Sequence, residues 1–363
     1  MGKFTPVLIA GAGWRVSQFV VPALLSLGIR RNDIAILRRQ LVEPEGVLVG
    51  IHAVDRMEAL SESYPLTINC VADDALVDIQ RRLVHRFPKA VHFCDTPIFR
   101  RWNELPQLIE MARANKLFSL EDWPTMPNIK PMLDLCARSP NSYQLRFEHI
   151  GIATHFLSAA RTAAIVAGQS QRRIVRREKD DLTCRFFGTD AICVHREPKD
   201  AARSKIIAWN GDQLIEDFFE IRETDIPGIA CDDVICRRVE GDKLRYFLGN
   251  RCFREVDIPK TIMALFLDRG TRFAVHELDK CISLMDVLRT ALEGKTNAYG
   301  YLESVKDAVA SRLVNKRSQV RALSDRIQQL PTRVISAFRE GRILSGASRR
   351  LGPVRELYWR RRR

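Results

Sequence analysis

Gly11-Ala12-Gly13-Trp14-Arg15 is the stretch of this 363-residue chain best suited to holding a phosphate. It follows a short β-prone run, Phe4 to Ala10. It opens a segment in which Val16, Phe19, Val20, Leu24 and Leu27 recur at near-helical spacing until Gly28. In a strand–turn–helix unit the first glycine permits the tight turn and the second lets a pyrophosphate reach the backbone. The helix N-terminus adds N–H donors and positive potential. Val16 replaces the usual third glycine, which predicts looser packing of helix on strand. The alternative is an ordinary glycine turn. A second signal stands at Arg38-Arg39, which end the next apolar run, Ile34 to Leu37. An acidic residue there would bond a ribose 2′-OH, whereas arginine's planar fork suits a 2′-phosphate and stacks on adenine. NADP(H) is therefore expected in preference to NAD(H). The alternative is a pair of solvated arginines.

These residues need a sheet to hold them. Further apolar runs lie at Val47 to Val54, Leu66 to Ala72, Lys89 to Cys94 and Leu117 to Leu120, with helical stretches at Ala75 to Arg86 and Glu104 to Ala114. Such alternation implies a parallel sheet covered on both faces. After about Glu121 the texture changes. A helical stretch (Ile129 to Ala137), a strand-like run (Tyr143 to Ile150) and a long apolar helix ending near Gly168 come first. The β-like runs Leu182 to Phe187, Ala191 to His195, Lys205 to Trp209 and Leu214 to Ile221 follow. Turn signals at Asn210-Gly211-Asp212 and Glu240-Gly241-Asp242 predict hairpins, and Cys281 to Leu292 predicts a further helix. The expected fold class is α/β. A Rossmann-type parallel-sheet domain (1–120) would precede an α+β substrate or oligomerisation domain with a largely antiparallel sheet (121–302). A basic helical C-terminal extension (303–363) would complete the chain.

With these motifs the chain resembles the glucose–fructose oxidoreductase/inositol dehydrogenase (Gfo/Idh/MocA) superfamily. The resemblance rests on Gly11 to Arg15, Val21-Pro22-Ala23-Leu24, Ile68 to Asp74, and Val91-His92-Phe93-Cys94-Asp95-Thr96-Pro97, and covers about residues 4 to 300. It implies a nicotinamide-dependent hydride transfer on a sugar or nucleotide-sugar-like substrate, and a homo-oligomer. Gly11, Gly13, Trp14 and Arg15 would meet the pyrophosphate, Arg38 and Arg39 the adenosine end, and Ala72, Asp73, Asp95 and Pro97 the nicotinamide side. The family's Glu-Lys-Pro motif stands here as Asp95-Thr96-Pro97, and Thr96 has neither the charge nor the basic pKa of the lysine. His149 stands where the family has an aspartate opening a second-domain helix, and Ser158 where a later aspartate often falls. His155 is the favoured proton donor or acceptor, because a histidine titrates near working pH. Lys130 is a further candidate, and a solvated lysine is the plainer account of it. The competing expectation is a catalytically degenerate member that keeps the fold and acts as a binding or scaffold protein anchored by its tail.

Composition bounds these readings. Apolar residues make up 46% and charged residues 28% of the chain, which supports a sizeable core and excludes global disorder. The most apolar window, His149 to Gly168, contains Arg161 and two histidines and is rejected as a membrane span. Nine scattered cysteines fit neither a zinc knuckle nor a disulfide framework, so no metal site and a reducing cytoplasm are expected. The net charge of +14 is concentrated: residues 303–363 carry 16 Lys/Arg against 5 Asp/Glu. Val305, Val309, Val320, Leu323, Ile327, Leu330, Val334 and Phe338 recur there at helical spacing, broken by Pro331. With Tyr358-Trp359 beside four terminal arginines, that extension fits an anionic membrane surface or an acidic protein. A helix packed on the body with a solvated end is the alternative. No base-reading motif accompanies it, which argues against nucleic acid.

Overall fold

The computed structural model describes residues 6–39, 46–60, 63–71, 75–95, 102–114, 116–127, 144–148, 172–178, 181–186, 189–194, 205–209, 214–218, 235–269, 274–293 and 304–305. Six short strands form the first sheet: β1 (Val7–Ala10), β2 (Ile34–Leu37), β3 (His52–Val54), β4 (Leu66–Asn69), β5 (Val91–Cys94) and β6 (Lys116–Ser119). Their order is β3-β2-β1-β4-β5-β6 and every pairing is parallel. All residues of β1, β2 and β4 are buried. That is why they read as unbroken apolar runs rather than alternating ones, as a sheet covered on both faces requires.

After β1 the chain winds through a π-helical stretch (Val16–Val20) into α1 (Val21–Ser26); α2 (Leu76–Arg86) and α3 (Leu105–Ala114) follow β4 and β5. The strand expected across Val47 to Val54 is confined to its last three residues. Gly46 and Gly50 take φ values of +57° and +78°, so the chain cannot extend between them. Val47 and Leu48 instead form a tight turn buried in the cluster that holds Val16 and Leu24.

A second six-stranded sheet has the order β12-β11-β7-β10-β9-β8. It comprises β7 (Gln144–Glu148), β8 (Arg172–Glu178), β9 (Asp181–Phe186), β10 (Thr189–Val194), β11 (Lys205–Trp209) and β12 (Leu214–Phe218). Only β7 and β10 pair in parallel. A third, antiparallel sheet runs β13 (Ile235–Glu240), β14 (Lys243–Leu248), β15 (Arg251–Asp257), and Gly241, at φ +64°, makes the expected turn between β13 and β14. Helices α4 (Lys260–Arg269) and α5 (Ala274–Leu292) follow; α5 begins seven residues before the expected Cys281.

Both helices return to the first domain. Leu278, Ile282, Met285 and Leu288 of α5 share one buried cluster with Phe19, Val20 and Leu24. A buried ion pair ties the third sheet to α5: Arg237 Nε lies 2.7 Å from Asp279 Oδ2, and the Tyr246 hydroxyl donates to Asp279 Oδ1. The helices expected at Ile129 to Ala137, before Gly168 and along the tail lie outside the described residues. No helix among the described residues is long and apolar enough to cross a membrane.

Candidate active site

The register of the first sheet builds one level edge. Ala10, Leu37, Asn69, Cys94 and Ser119 stand in a single row across β2-β1-β4-β5-β6. The residues that follow them, Gly11, Arg38, Cys70, Asp95 and Leu120, therefore open together at the carboxyl end. Backbone bonds extend the row by one residue: Gly11 N–H to Leu37 O (2.8 Å), Cys70 to Ala10 (2.8 Å), Asp95 to Asn69 (2.9 Å) and Leu120 to Cys94 (2.8 Å). Strand order reverses between β1 and β4, which makes this edge the crevice where parallel sheets take ligands.

The two glycines of the turn do different work. Gly11 has φ +102°, and a Cβ there would lie 2.6 Å from the Cys70 carbonyl oxygen, so backbone meets backbone and only glycine fits. Gly13 is exposed, lies outside the left-handed region, and has no atom within 4 Å of where its Cβ would be. Its own carbonyl accepts the N–H groups of Val16 (3.0 Å) and Ser17 (3.1 Å). The open space above Gly13 fits a pyrophosphate cradle that a side chain would fill. Val16 is fully buried at the head of the π-helical stretch, so the wider winding starts where the third glycine is missing. Trp14 is 61% exposed beside the turn and sets its ring edge-on to Phe19 at 4.8 Å.

Arg15 points across the edge. Its Nε lies 2.8 Å from Asp95 Oδ1, Nη1 donates to Asp122 Oδ2 at 3.2 Å, and Nη2 donates to the Leu120 carbonyl at 2.8 Å. Burial pushes this guanidinium down, but the fields of Asp95 and Asp122 outweigh it and raise its pKa above its ordinary value. Arg15 therefore stays charged at any working pH and cannot supply the proton transfer that Thr96 lacks. Asp122 is held in turn through its carbonyl, which accepts the Thr125 and Ser283 hydroxyls, the latter from α5.

Two other titratable groups of the sheet are chemically quiet. Burial, reinforced by Asp95, pushes the Cys70 thiol well above its usual range, so it is no nucleophile. His92, in mid-β5, is pushed down to about 4 by burial, contacts Thr67 Oγ1 at 2.7 Å and the Phe87 carbonyl at 3.1 Å, and is neutral near pH 7.

Of the residues singled out from sequence, the structure brings Gly11, Gly13, Trp14, Arg15, Arg38 and Asp95 to this edge. Arg38 is half-buried directly after β2, its N–H donating to Val54 O (2.9 Å), and Arg39 is exposed beside it. Ala72, Asp73, Thr96, Pro97, Lys130, His149 and His155 lie outside the described residues. Asp122 was missed. The signal available was position: it stands three residues past the end of β6, on the edge already marked by Gly11 and Asp95.

No family model matches the sequence, and no curated protein matches it significantly. Solved structures do. An oxidoreductase from Agrobacterium radiobacter, in complex with NAD+, L-tartaric acid and magnesium, matches with a TM-score of 0.54 at 14% identity, over 88% of this chain and 100% of that one. KijD10, a 3-ketoreductase from Actinomadura kijaniata in complex with TDP-benzene and NADP, gives 0.51 at 12% identity over 84% and 94% of the two chains. The WlbA (WbpB) dehydrogenase from Thermus thermophilus, in complex with NAD and UDP-GlcNAcA, gives 0.51 at 12% over 86% and 95%. At these identities the likeness is one of fold. A parallel Rossmann sheet followed by a largely antiparallel one, this chain has the fold of the Gfo/Idh/MocA-type oxidoreductases that its sequence resembles.

Proposed function

We propose that the chain is an NAD(P)-dependent oxidoreductase that moves a hydride to or from a hydroxyl- or carbonyl-bearing carbon of a sugar or nucleotide-sugar-like substrate. The observation that carries this reading is the open space over Gly13, in the turn that leaves β1 at the switch point of the sheet, where Gly11 stands level with Arg38 and Asp95. Structures of the same fold hold NAD+ or NADP, and two of them hold TDP-benzene or UDP-GlcNAcA, which supports both the cofactor and the substrate class. When bound, the dinucleotide supplies the carbon that gives or takes the hydride.

The chain's own residues do the rest. The backbone at Gly11 and Gly13 receives the pyrophosphate, while Arg38 and Arg39 meet the 2′-phosphate and adenine. Trp14 flanks the cradle, Ala72, Asp73, Asp95 and Pro97 line the nicotinamide side, and Thr96 orients substrate or water. His155 exchanges the proton, with Lys130 next in line. Residues 121–302 supply the substrate side and pair copies of the chain. The basic tail engages an anionic partner in the cytoplasm, a membrane surface or an acidic protein. A second reading, a nucleotide-binding scaffold without turnover, draws on the replacement of the family lysine by Thr96.

The test is titration with NADPH and NADH of wild type, Gly13→Val and Arg38→Ala/Arg39→Ala. NADPH should bind wild type, Gly13→Val should abolish binding, and the double arginine variant should lose NADPH more than NADH. Binding of neither nucleotide by wild type refutes the proposal. Binding without turnover of any nucleotide sugar selects the scaffold.

A further inference from the structure

Arg15 was expected at the pyrophosphate, yet all three of its described polar contacts are with the sheet edge: Asp95, Leu120 and Asp122. From this geometry we infer that Arg15 is a positioning residue. It fixes the end of β5, and with it Asp95 on the nicotinamide side, against the helix of the glycine turn. This rests on the cofactor reading above and extends it, because it assigns Arg15 to the redox end of the dinucleotide and takes it away from the phosphates.

Three features support the assignment. The contacts come from two strand ends and from the loop after β6, and Asp122 lies 107 positions from Arg15, so the guanidinium closes a tertiary link and caps no local turn. Both carboxylates are largely buried, with side chains 15% and 5% exposed, and the guanidinium between them is 23% exposed. Finally, Asp122 is anchored from behind by Ser283 of α5, so the far end of the link is itself fixed. A guanidinium bonded through Nη1 and Nη2 and ion-paired through Nε holds its partners in place before any ligand arrives.

The inference separates two halves of one ligand. Calorimetric titration of wild type, Arg15→Gln, Asp95→Asn and the double variant with NADPH, and with 2′-phospho-ADP-ribose, which lacks the nicotinamide, distinguishes them. Each single variant should weaken NADPH about tenfold or more, and the double variant should be no weaker than either single one, because both remove the same link. Affinity for 2′-phospho-ADP-ribose should change less than threefold throughout. Loss of the fragment in Arg15→Gln but not in Asp95→Asn would show that Arg15 touches phosphate and would overturn the inference, leaving the cofactor reading intact. Additive losses in the double variant would also overturn it. Failure of wild type to bind either ligand would instead overturn the cofactor reading. Asp95→Asn keeps the side-chain volume and removes only the charge that Arg15 faces, so the comparison survives if Arg15→Gln does not fold.

Discussion

Replacing each glycine of the Gly11–Gly13 turn by alanine separates what the fold needs from what a ligand would need. At Gly11 the new Cβ would stand 2.6 Å from the oxygen and 2.8 Å from the carbon of the Cys70 carbonyl, and 3.1 Å from the Val71 nitrogen, all backbone atoms of the adjoining strand's end. Those atoms cannot swing aside, since the Cys70 N–H is bonded to Ala10 O and the Gly11 N–H to Leu37 O. A side chain in the left-handed region costs roughly 1–2 kcal/mol and an overpacked contact about 1–3 kcal/mol, giving about 2–5 kcal/mol in all. If residues 1–120 melt as one unit, each kcal/mol moves the midpoint by about 4 °C. Gly11→Ala should then melt about 8–20 °C below wild type. Gly13→Ala meets no neighbour and needs no left-handed φ, so its midpoint should stay within about 3 °C while dinucleotide affinity falls. Differential scanning calorimetry with and without NADPH reads both effects. Equal melting of Gly11→Ala and wild type, or equal destabilisation by the two substitutions, would refute the reasoning.

Three further outcomes follow from features away from the turn. His92 titrates near 4 when folded against about 6.5 when unfolded, so the unfolded chain takes up the proton first. Stability is full above about pH 6.5 and should fall by on the order of 3 kcal/mol as pH drops toward 4, and His92→Gln should flatten that limb in urea unfolding at pH 7 and 4.5. Asp279→Asn leaves Arg237 charged and buried and should cost about 3–5 kcal/mol, seen as a lower thermal midpoint. Removing residues 331–363 takes away 10 arginines and 2 glutamates, and should abolish sedimentation with anionic liposomes at low salt while the remainder stays folded.

How much of this was legible in the sequence depended on the range of the interaction. The strand ends at Leu37 and Cys94 were placed correctly, because a buried parallel strand is a local apolar run and a glycine or charge ends it. The Val47 run misled for the same reason: a buried 3₁₀ turn and a buried strand look alike over two residues. The start of α5 was set seven residues late, since the apolar periodicity is clear only from Cys281. Arg15 shows the limit most plainly. Its place in the turn was visible, but its direction depends on Asp95 and Asp122, and no local pattern records that those carboxylates end beside it. The Arg237–Asp279–Tyr246 cluster was invisible for the same physical reason, its members being drawn from two strands and a helix.

The return of α5 to the first domain has a consequence for how the protein is made. The helix after the glycine turn keeps Phe19, Val20 and Leu24 from water partly against Leu278, Ile282, Met285 and Leu288, and Cys281 Sγ reaches the Gln18 carbonyl across 263 positions of sequence. A ribosome adding about 5–20 residues per second needs roughly 13–50 s to reach the far partners. Throughout that interval the nascent parallel-sheet half presents an uncovered apolar flank. A segment made well before its partners is thus finished only after them, and chaperone demand during translation should fall sharply once residue 292 has left the exit tunnel.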